Sequence, residues 1–403
     1  MTCTSHLSLR VEGLKVPQKS DGNKELQFQV YNSFAKLPAE FISLFENATN
    51  ESVFFAREWF LRSVEHFLQQ SQDLRIFAAK KDNVPSALLI VFEKSLLENA
   101  AWVNRKILSS CTTSQSFRSS LICAKESDVS DILIGLVEYL EDSKYLFHKL
   151  DLELLSFSQD DRDKWAQKLT ESKCHFSITL QEWNRYEDVK GVPFSKLAKK
   201  STKRREKKLA RTSKIDFQLY QKPDEIQEAI NAYENIYQRT WKDVDVGKKF
   251  ASDLIHDYAS RGWVKFLIMS VDGLPVAAEC FFVHHRKACS FRTAYDLKYR
   301  DYGVGSIVLQ KMFQILIKDD LIDEIDFGPG DEDYKKQWLT KTRPLWRLQI
   351  FSSSSKLSRS HHFICQVRDE FLTLADGPVG KQLRKTKHSL IKTSKNLKER
   401  LNI

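Results

Sequence analysis

Arg300-Asp301-Tyr302-Gly303-Val304-Gly305 is the stretch whose residue types and spacing best suit a phosphate. Before it stands Cys289-Ser290-Phe291-Arg292-Thr293-Ala294-Tyr295, β-branched and aromatic enough for a strand. After it, Ser306 opens a run with Ile307, Val308, Leu309, Met312, Phe313, Leu316 and Ile317 at helical spacing. First-turn N–H groups have no partner inside a helix, and the helix dipole adds positive potential there. Glycine at 303 and 305 lets a pyrophosphate approach the backbone with no Cβ in the way, and Arg300 adds a charge-assisted contact. The expected phosphate contacts are therefore Arg300, Gly303, Val304, Gly305 and Ser306. R-x-x-G-x-G alone also fits ordinary loops. A second short strand, Glu324-Ile325-Asp326-Phe327, closed by Gly328-Pro329-Gly330, makes the context more specific than the motif.

Titratable groups gather on the same elements. Glu279 interrupts the apolar run Val276–Phe282. A carboxylate on a central strand needs a partner, such as Arg292 on the next strand, or a chemical role. Asp296 ends the strand before the glycine loop, Asp326 lies in the second strand, and Asp331, Tyr334, Lys335 and Lys336 follow it.

R-x-x-G-x-G between a strand and a helix resembles the acyl-CoA loop of the GNAT acyltransferase superfamily. The wider order is Ala294-Tyr295-Asp296, the loop, Asp326-Phe327-Gly328, Tyr334-Lys335-Lys336 and Trp338. It resembles the CelD/BcsL branch named for cellulose biosynthesis, distantly related to the FemAB peptidyltransferases. That branch often has a proline before its loop glycine, where this chain has Gly303-Val304-Gly305. The resemblance implies acetyl-CoA or another acyl-CoA as co-substrate, held at residues 300–306. For a general base the sequence offers Glu279, Asp296, Asp326 and Asp331, with Glu279 and Asp296 expected to be catalytic, and the resemblance implies Tyr334 as the acid for the departing thiolate. Trp241 and an acid shortly after it, Asp245 or Asp243, are then expected near the acceptor, a small molecule or glycan, together with Asp326 and Lys335. For Trp241, ordinary core packing is the competing expectation.

These residues need two diverging parallel strands to position them, and the rest of the chain is expected to supply that frame. Leu74–Ala79 and Ser86–Phe92 flank the turn Lys81-Asp82-Asn83, and Phe266–Met269 and Val276–Val283 flank Asp272-Gly273. The repeated strand–turn–strand order, with Val84-Pro85 after one turn and Leu274-Pro275 after the other, reads as an internal duplication. The expected fold is mixed α/β, or α+β: two tandem GNAT-like domains, each a mostly antiparallel sheet flanked by helices. The resemblance implies splayed parallel strands in the second, and the cofactor is expected there alone, because Ser109–Lys125 of the first has no glycine. The domains are drawn at 1–185 and 186–352, with a basic extension at 353–403.

Lys196 to Lys214 holds ten cations on a helix with a thin apolar stripe. It is either a solvated face or a contact to cofactor phosphates or a phosphate-bearing acceptor. A FemAB-like use of aminoacyl-tRNA is the alternative, and tRNA is a partner only on that reading. A third reading keeps the fold as an inactive binding module in a polysaccharide-synthesis complex. In 381–403, leucines near heptad spacing lie among eight basic residues, a helix suited to peripheral membrane contact or to docking on its own domain.

Composition fits these readings. A net charge of +10 and a pI near 9.0 favour an anionic partner. No apolar run approaches the ~20 residues that span a bilayer. The N-terminus lacks an apolar signal core, so the cytoplasm is expected. Seven cysteines form no C-x-x-C, and the His pairs are adjacent rather than i, i+4. No metal is expected.

Overall fold

Both halves of the chain are built outward from the same hairpin. Lys81↔Val84 and Val271↔Leu274 close two-residue turns, Asp82-Asn83 and Asp272-Gly273. All four turn residues have positive φ, 51° and 66° in one and 50° and 81° in the other. That geometry matches the twist of the flanking strands, and Asp, Asn and Gly tolerate it. Each hairpin then leaves one residue out of its ladder at the same place, Ser86 in the first and Val276 in the second. The expected duplication is present in the turn and in the bulge.

The computed structural model describes residues 26–96, 105–119, 121–143, 145–240, 247–353 and 362–363. The first half runs β1 (Leu26–Tyr31), α1 (Ile42–Thr49), α2 (Arg57–Phe67), β2 (Gln72–Lys81), β3 (Val84–Leu96), β4 (Arg105–Ser110), β5 (Ile122–Cys123), α3 (Val129–Asp142), β6 (Phe147–Leu155), α4 (Gln159–Glu171) and β7 (His175–Asp188). Two helices in the basic run follow, α5 (Phe194–Leu197) and α6 (Lys200–Leu209). The second half repeats the plan: β8 (Ile215–Tyr220), α7 (Ile226–Tyr237), α8 (Lys248–Ser260), β9 (Val264–Val271), β10 (Leu274–His284), β11 (Lys287–Tyr295), α9 (Val304–Lys318), β12 (Glu324–Pro329), α10 (Asp333–Trp338) and β13 (Lys341–Phe351).

All strands belong to one mixed sheet of order β1-β2-β3-β4-β6-β13-β7-β12-β11-β10-β9-β8, with β5 paired to β3. The centre is an exchange. β7 follows the first half but pairs with β12 of the second, and β13 follows the second but pairs with β6 of the first. β7 and β13 also pair with each other from His175↔Phe351 to Tyr186↔Lys341. The boundary expected at 185/186 therefore falls inside β7, where hydrogen bonds cross it. Sequence periodicity cannot show such an exchange, because it is a long-range pairing choice.

One face of the sheet is covered jointly. Trp59 of α2 meets Phe250 of α8 edge to face at 5.2 Å, in a core that also holds Phe45, Ile230 and Tyr258. On other surfaces each half keeps its own cluster, around Leu133, Leu136 and Leu140 of α3 and around Ile307, Val308 and Met312 of α9. No described helix is long and apolar enough to cross a membrane.

Candidate active site

β11 and β12 run parallel and pair at three positions, Lys287↔Glu324, Ala288↔Ile325 and Cys289↔Asp326. Beyond that fork β11 stays with β10 as far as Tyr295, while β12 stays with β7. The strands diverge toward their C-terminal ends, which is the expected splay. A bulge sits on the open part of β11. Cys280 pairs with Arg292 and Phe281 with Ser290, so Phe291 has no counterpart on β10. Bulges re-aim backbone groups and are frequent beside active sites.

The glycine loop closes the mouth. Asp296 caps a 3-10 turn, Leu297–Tyr302, by accepting from the Lys298 N–H at 2.9 Å. Gly303, at φ 67°, ends that turn and starts α9. Among the described residues no group accepts from the N–H of Val304, Gly305 or Ser306. A Cβ at Gly303 would lie 2.8 Å from Arg205 Nη1 of α6, and one at Gly305 would lie 3.1 Å from Tyr295 Cδ1. The left-handed φ and the close approach of Arg205 explain glycine at 303. Arg300 is exposed beside it.

Inside the splay, Glu279 is 3% exposed and accepts from the Thr293 hydroxyl at 2.8 Å across the β10–β11 ladder. Without the bulge, counting back from His284↔Lys287 would put Arg292 opposite Glu279; with it, the opposite residue is Thr293. Arg292 Nη2 donates to Gln115 Oε1 at 2.8 Å. Alternation puts Glu279 on the face of Ala277 and Phe281, which pack with α9. Phe327 links this face to Tyr334, lying 6.4 Å from Phe281 and 6.2 Å from the Tyr334 ring, onto which it stacks. Tyr334 keeps 45% of its surface in solvent. Desolvation of its hydroxyl, with Glu332 and then Glu279 adding negative charge, still raises it above the ordinary tyrosine value. Glu279 and Tyr334 thus come together, with Thr293 as a partner that the sequence reading missed.

Other expected site residues serve the frame. Asp296 is 1% exposed, and its Oδ2 accepts from Arg239 Nε at 2.6 Å, so it fixes the turn after α7 to the end of β11. Asp326 is also 1% exposed and takes four hydrogen bonds. They come from Asn184 Nδ2 at 2.7 Å, the Gly328 N–H at 2.7 Å, Arg118 Nη2 at 2.9 Å and Arg343 Nη2 at 2.8 Å. Burial pushes its carboxyl up, but Arg118 and Arg343 more than offset this and hold it below the usual range. Both oxygens being spent, Asp326 ties the halves together and has no oxygen left for an acceptor. Lys335 is buried, pairs with Glu332 at 3.0 Å and donates to the Pro329 carbonyl, so it braces its own turn. Trp241 and Asp245 lie outside the described residues, as do Asp243 and the basic tail.

Cys280 and Cys289 are fully buried, and burial pushes both thiols up, which leaves them protonated and poor nucleophiles. Glu65, His66 and Asp253 lie together between α2 and α8, where His66 Nε2 meets Asp253 at 2.8 Å and Arg62 holds Glu65 at 2.8 Å. A cavity of about 1250 Å³ opens mainly in the first half, lined by Asn47 of α1, Glu51 just after it, Asp128 and Ser130 at the start of α3, and Trp165 and Lys168 of α4, with His285 and Lys287 from the second half.

Residues 196–336 match the family model of the acetyltransferase (GNAT) domain. The matched stretch contains the splay, the glycine loop, Glu279 and Tyr334. The chain therefore carries a GNAT-type acetyltransferase domain within a larger mixed α/β fold. Among solved structures it is similar to FemX, with 8% identity over 80% of this chain and 97% of that one, at a TM-score of 0.55. A conserved protein of unknown function from Bacteroides thetaiotaomicron VPI-5482 matches with 13% identity, 73% and 89% coverage and a TM-score of 0.48. A tandem GNAT protein from the clavulanic acid biosynthesis pathway matches with 10% identity, 82% and 100% coverage and a TM-score of 0.44. The likeness to FemX, at this identity, speaks for the fold and not for a reaction. No curated protein matches the chain.

Proposed function

We propose that the protein is an acyl-CoA-dependent acyltransferase, using acetyl-CoA or a related acyl-CoA. The proposed acceptor is an amine or hydroxyl of a sugar, a polysaccharide precursor or an amino-sugar nucleotide. The observation that carries the reading is the open start of α9 at the mouth of the β11–β12 splay, inside the segment that matches the GNAT domain. The acceptor class rests on the CelD/BcsL-like order of motifs.

The residues present fit such a co-substrate, which supplies an activated thioester. The N–H groups of Val304, Gly305 and Ser306 and the Arg300 guanidinium hold the diphosphate. Backbone N–H groups of β11 past Cys289, re-aimed by the bulge at Phe291, face the thioester carbonyl and stabilise the charge that develops on it. Glu279, positioned by Thr293, takes the proton from the acceptor as the new C–N or C–O bond forms. Tyr334, kept protonated, donates to the sulfur as the C–S bond breaks.

Calorimetric titration with acetyl-CoA tests the reading. Wild type binds and Gly303→Glu does not; a wild type that fails to bind removes the proposal. The FemAB-like alternative draws support from the cations of α6, which are exposed and unpaired among the described residues. Transfer of a labelled aminoacyl group from tRNA is its assay. Cofactor binding with no turnover across an acceptor panel would instead favour the binding module. We place the protein in the cytoplasm on this reading.

A further inference from the structure

We propose that Arg205, on a helix outside the glycine motif, is a phosphate-binding side chain of the same site. The assignment rests on the acyl-CoA reading above.

α6 carries Lys200, Lys203, Arg204, Arg205, Lys207 and Lys208 against one acid, Glu206. Thr202 and Leu209 are its buried residues, so the stripe through 202 and 209 faces the protein. At 100° per residue, Arg205 is the cation nearest that stripe, while the other five turn toward solvent. The stripe docks α6 beside the glycine loop. A Cβ built at Gly303 would lie 2.8 Å from Arg205 Nη1 and 3.0 Å from its Cδ. Among the described residues no carboxylate or carbonyl takes this guanidinium, although acidic side chains elsewhere on the surface are widely paired.

The electrostatics are those of an incomplete site. A helix start is positive, so a cation beside it is repelled unless an anion lies between them. Arg205 brings a fixed fork of N–H donors to the place where Val304, Gly305 and Ser306 present theirs. Arg300 lies in the turn that leads into the helix start and Arg205 reaches it from α6, so the two elements flanking it each carry a cation. A diphosphate has the charge and the number of acceptors to take both, whereas a pantetheine arm alone has neither. Arg205 therefore makes the site select for the nucleotide end of the co-substrate.

The test compares CoA with pantetheine by calorimetry on the full chain, at low and moderate salt. Wild type is expected to bind CoA far better than pantetheine. Arg205→Ala should weaken CoA about tenfold and leave pantetheine unchanged, and Arg205→Lys should restore part of the loss. Lys203→Ala, which removes the same charge from the outer face, should change CoA affinity less than twofold. Arg205 is exposed, so its variants should keep the wild-type melting temperature. Equal CoA affinity in wild type and Arg205→Ala overturns this assignment and leaves the acyl-CoA reading standing. Equal losses in Lys203→Ala and Arg205→Ala also overturn it, in favour of diffuse charge or a polyanion on the outer face. A wild type that binds no CoA overturns both.

Discussion

Leu89 and Glu279 occupy the same place in the two halves, five residues beyond Val84 and Leu274 and paired with Phe77 and Leu267. One is core and the other is a carboxylate facing the splay. The helix starts differ in the same sense. α3 begins with Asp128, whose Oδ1 accepts from the Ser130 N–H at 2.9 Å and the Asp131 N–H at 3.4 Å. α9 begins with Gly303, and the amides of its first turn are left for something else. The first half fills its own anion site with a side chain, and Lys168 anchors that side chain at 2.9 Å. A third pair is alike. Asp151 and Asp326 both sit at the last paired position of the parallel strands. Each takes an arginine from β13, Arg347 at 2.7 Å for Asp151 and Arg343 at 2.8 Å for Asp326. What both halves keep is architecture; what the second alone has is the candidate chemistry.

The largest effects should come from the shared feature. Asp326→Asn removes the buried charge that Arg118 and Arg343 share, and should cost about 3–5 kcal/mol in urea unfolding; Asp151→Asn should cost less, because Arg347 is half-buried and keeps Glu153 at 3.3 Å. Loss of turnover in Asp326→Asn at unchanged stability would return that residue to the chemistry. Glu279→Leu copies the first half into the second. Transfer to any accepted acceptor should fall about 10³-fold, with acetyl-CoA binding and the unfolding midpoint retained. A modest loss would move the base elsewhere.

Gly303→Asp, which imitates Asp128, should weaken CoA about 100-fold through backbone strain and like charge. Asp128→Gly should leave CoA binding alone, which calorimetry checks directly. The smallest effect is on the cap itself. Asp128→Ala should lose about 1 kcal/mol near neutral pH. Burial pushes Asp128 up, but Lys168 and the Ser130 hydroxyl and amide hold it down to about 2. A depressed carboxyl stabilises fully above its unfolded value of about 4 and loses that contribution as pH falls toward 2. Wild type and Asp128→Ala should therefore converge in stability over that interval.

Local signals made much of this legible. Turn chemistry placed both hairpins, helical spacing placed α9, and the glycine loop marked the mouth of the splay. Glu279 was visible as a charge in an apolar strand. Its partner was not, because a bulge at Phe291 shifts the ladder by one residue, and nothing in Ser290-Phe291-Arg292 announces a bulge. Asp326 looked functional because an acid on a short strand does; the arginines that spend its oxygens lie far away in sequence. Arg205 was hidden among ten similar cations, and only the docking of α6 against Gly303 separates it from the rest.

The exchange of β7 and β13 also bears on whether the halves can be separated. Because each half lends its last strand to the other, deleting either one would strip the remainder of a central strand and expose a raw sheet edge. Neither half is therefore expected to fold when expressed without the other.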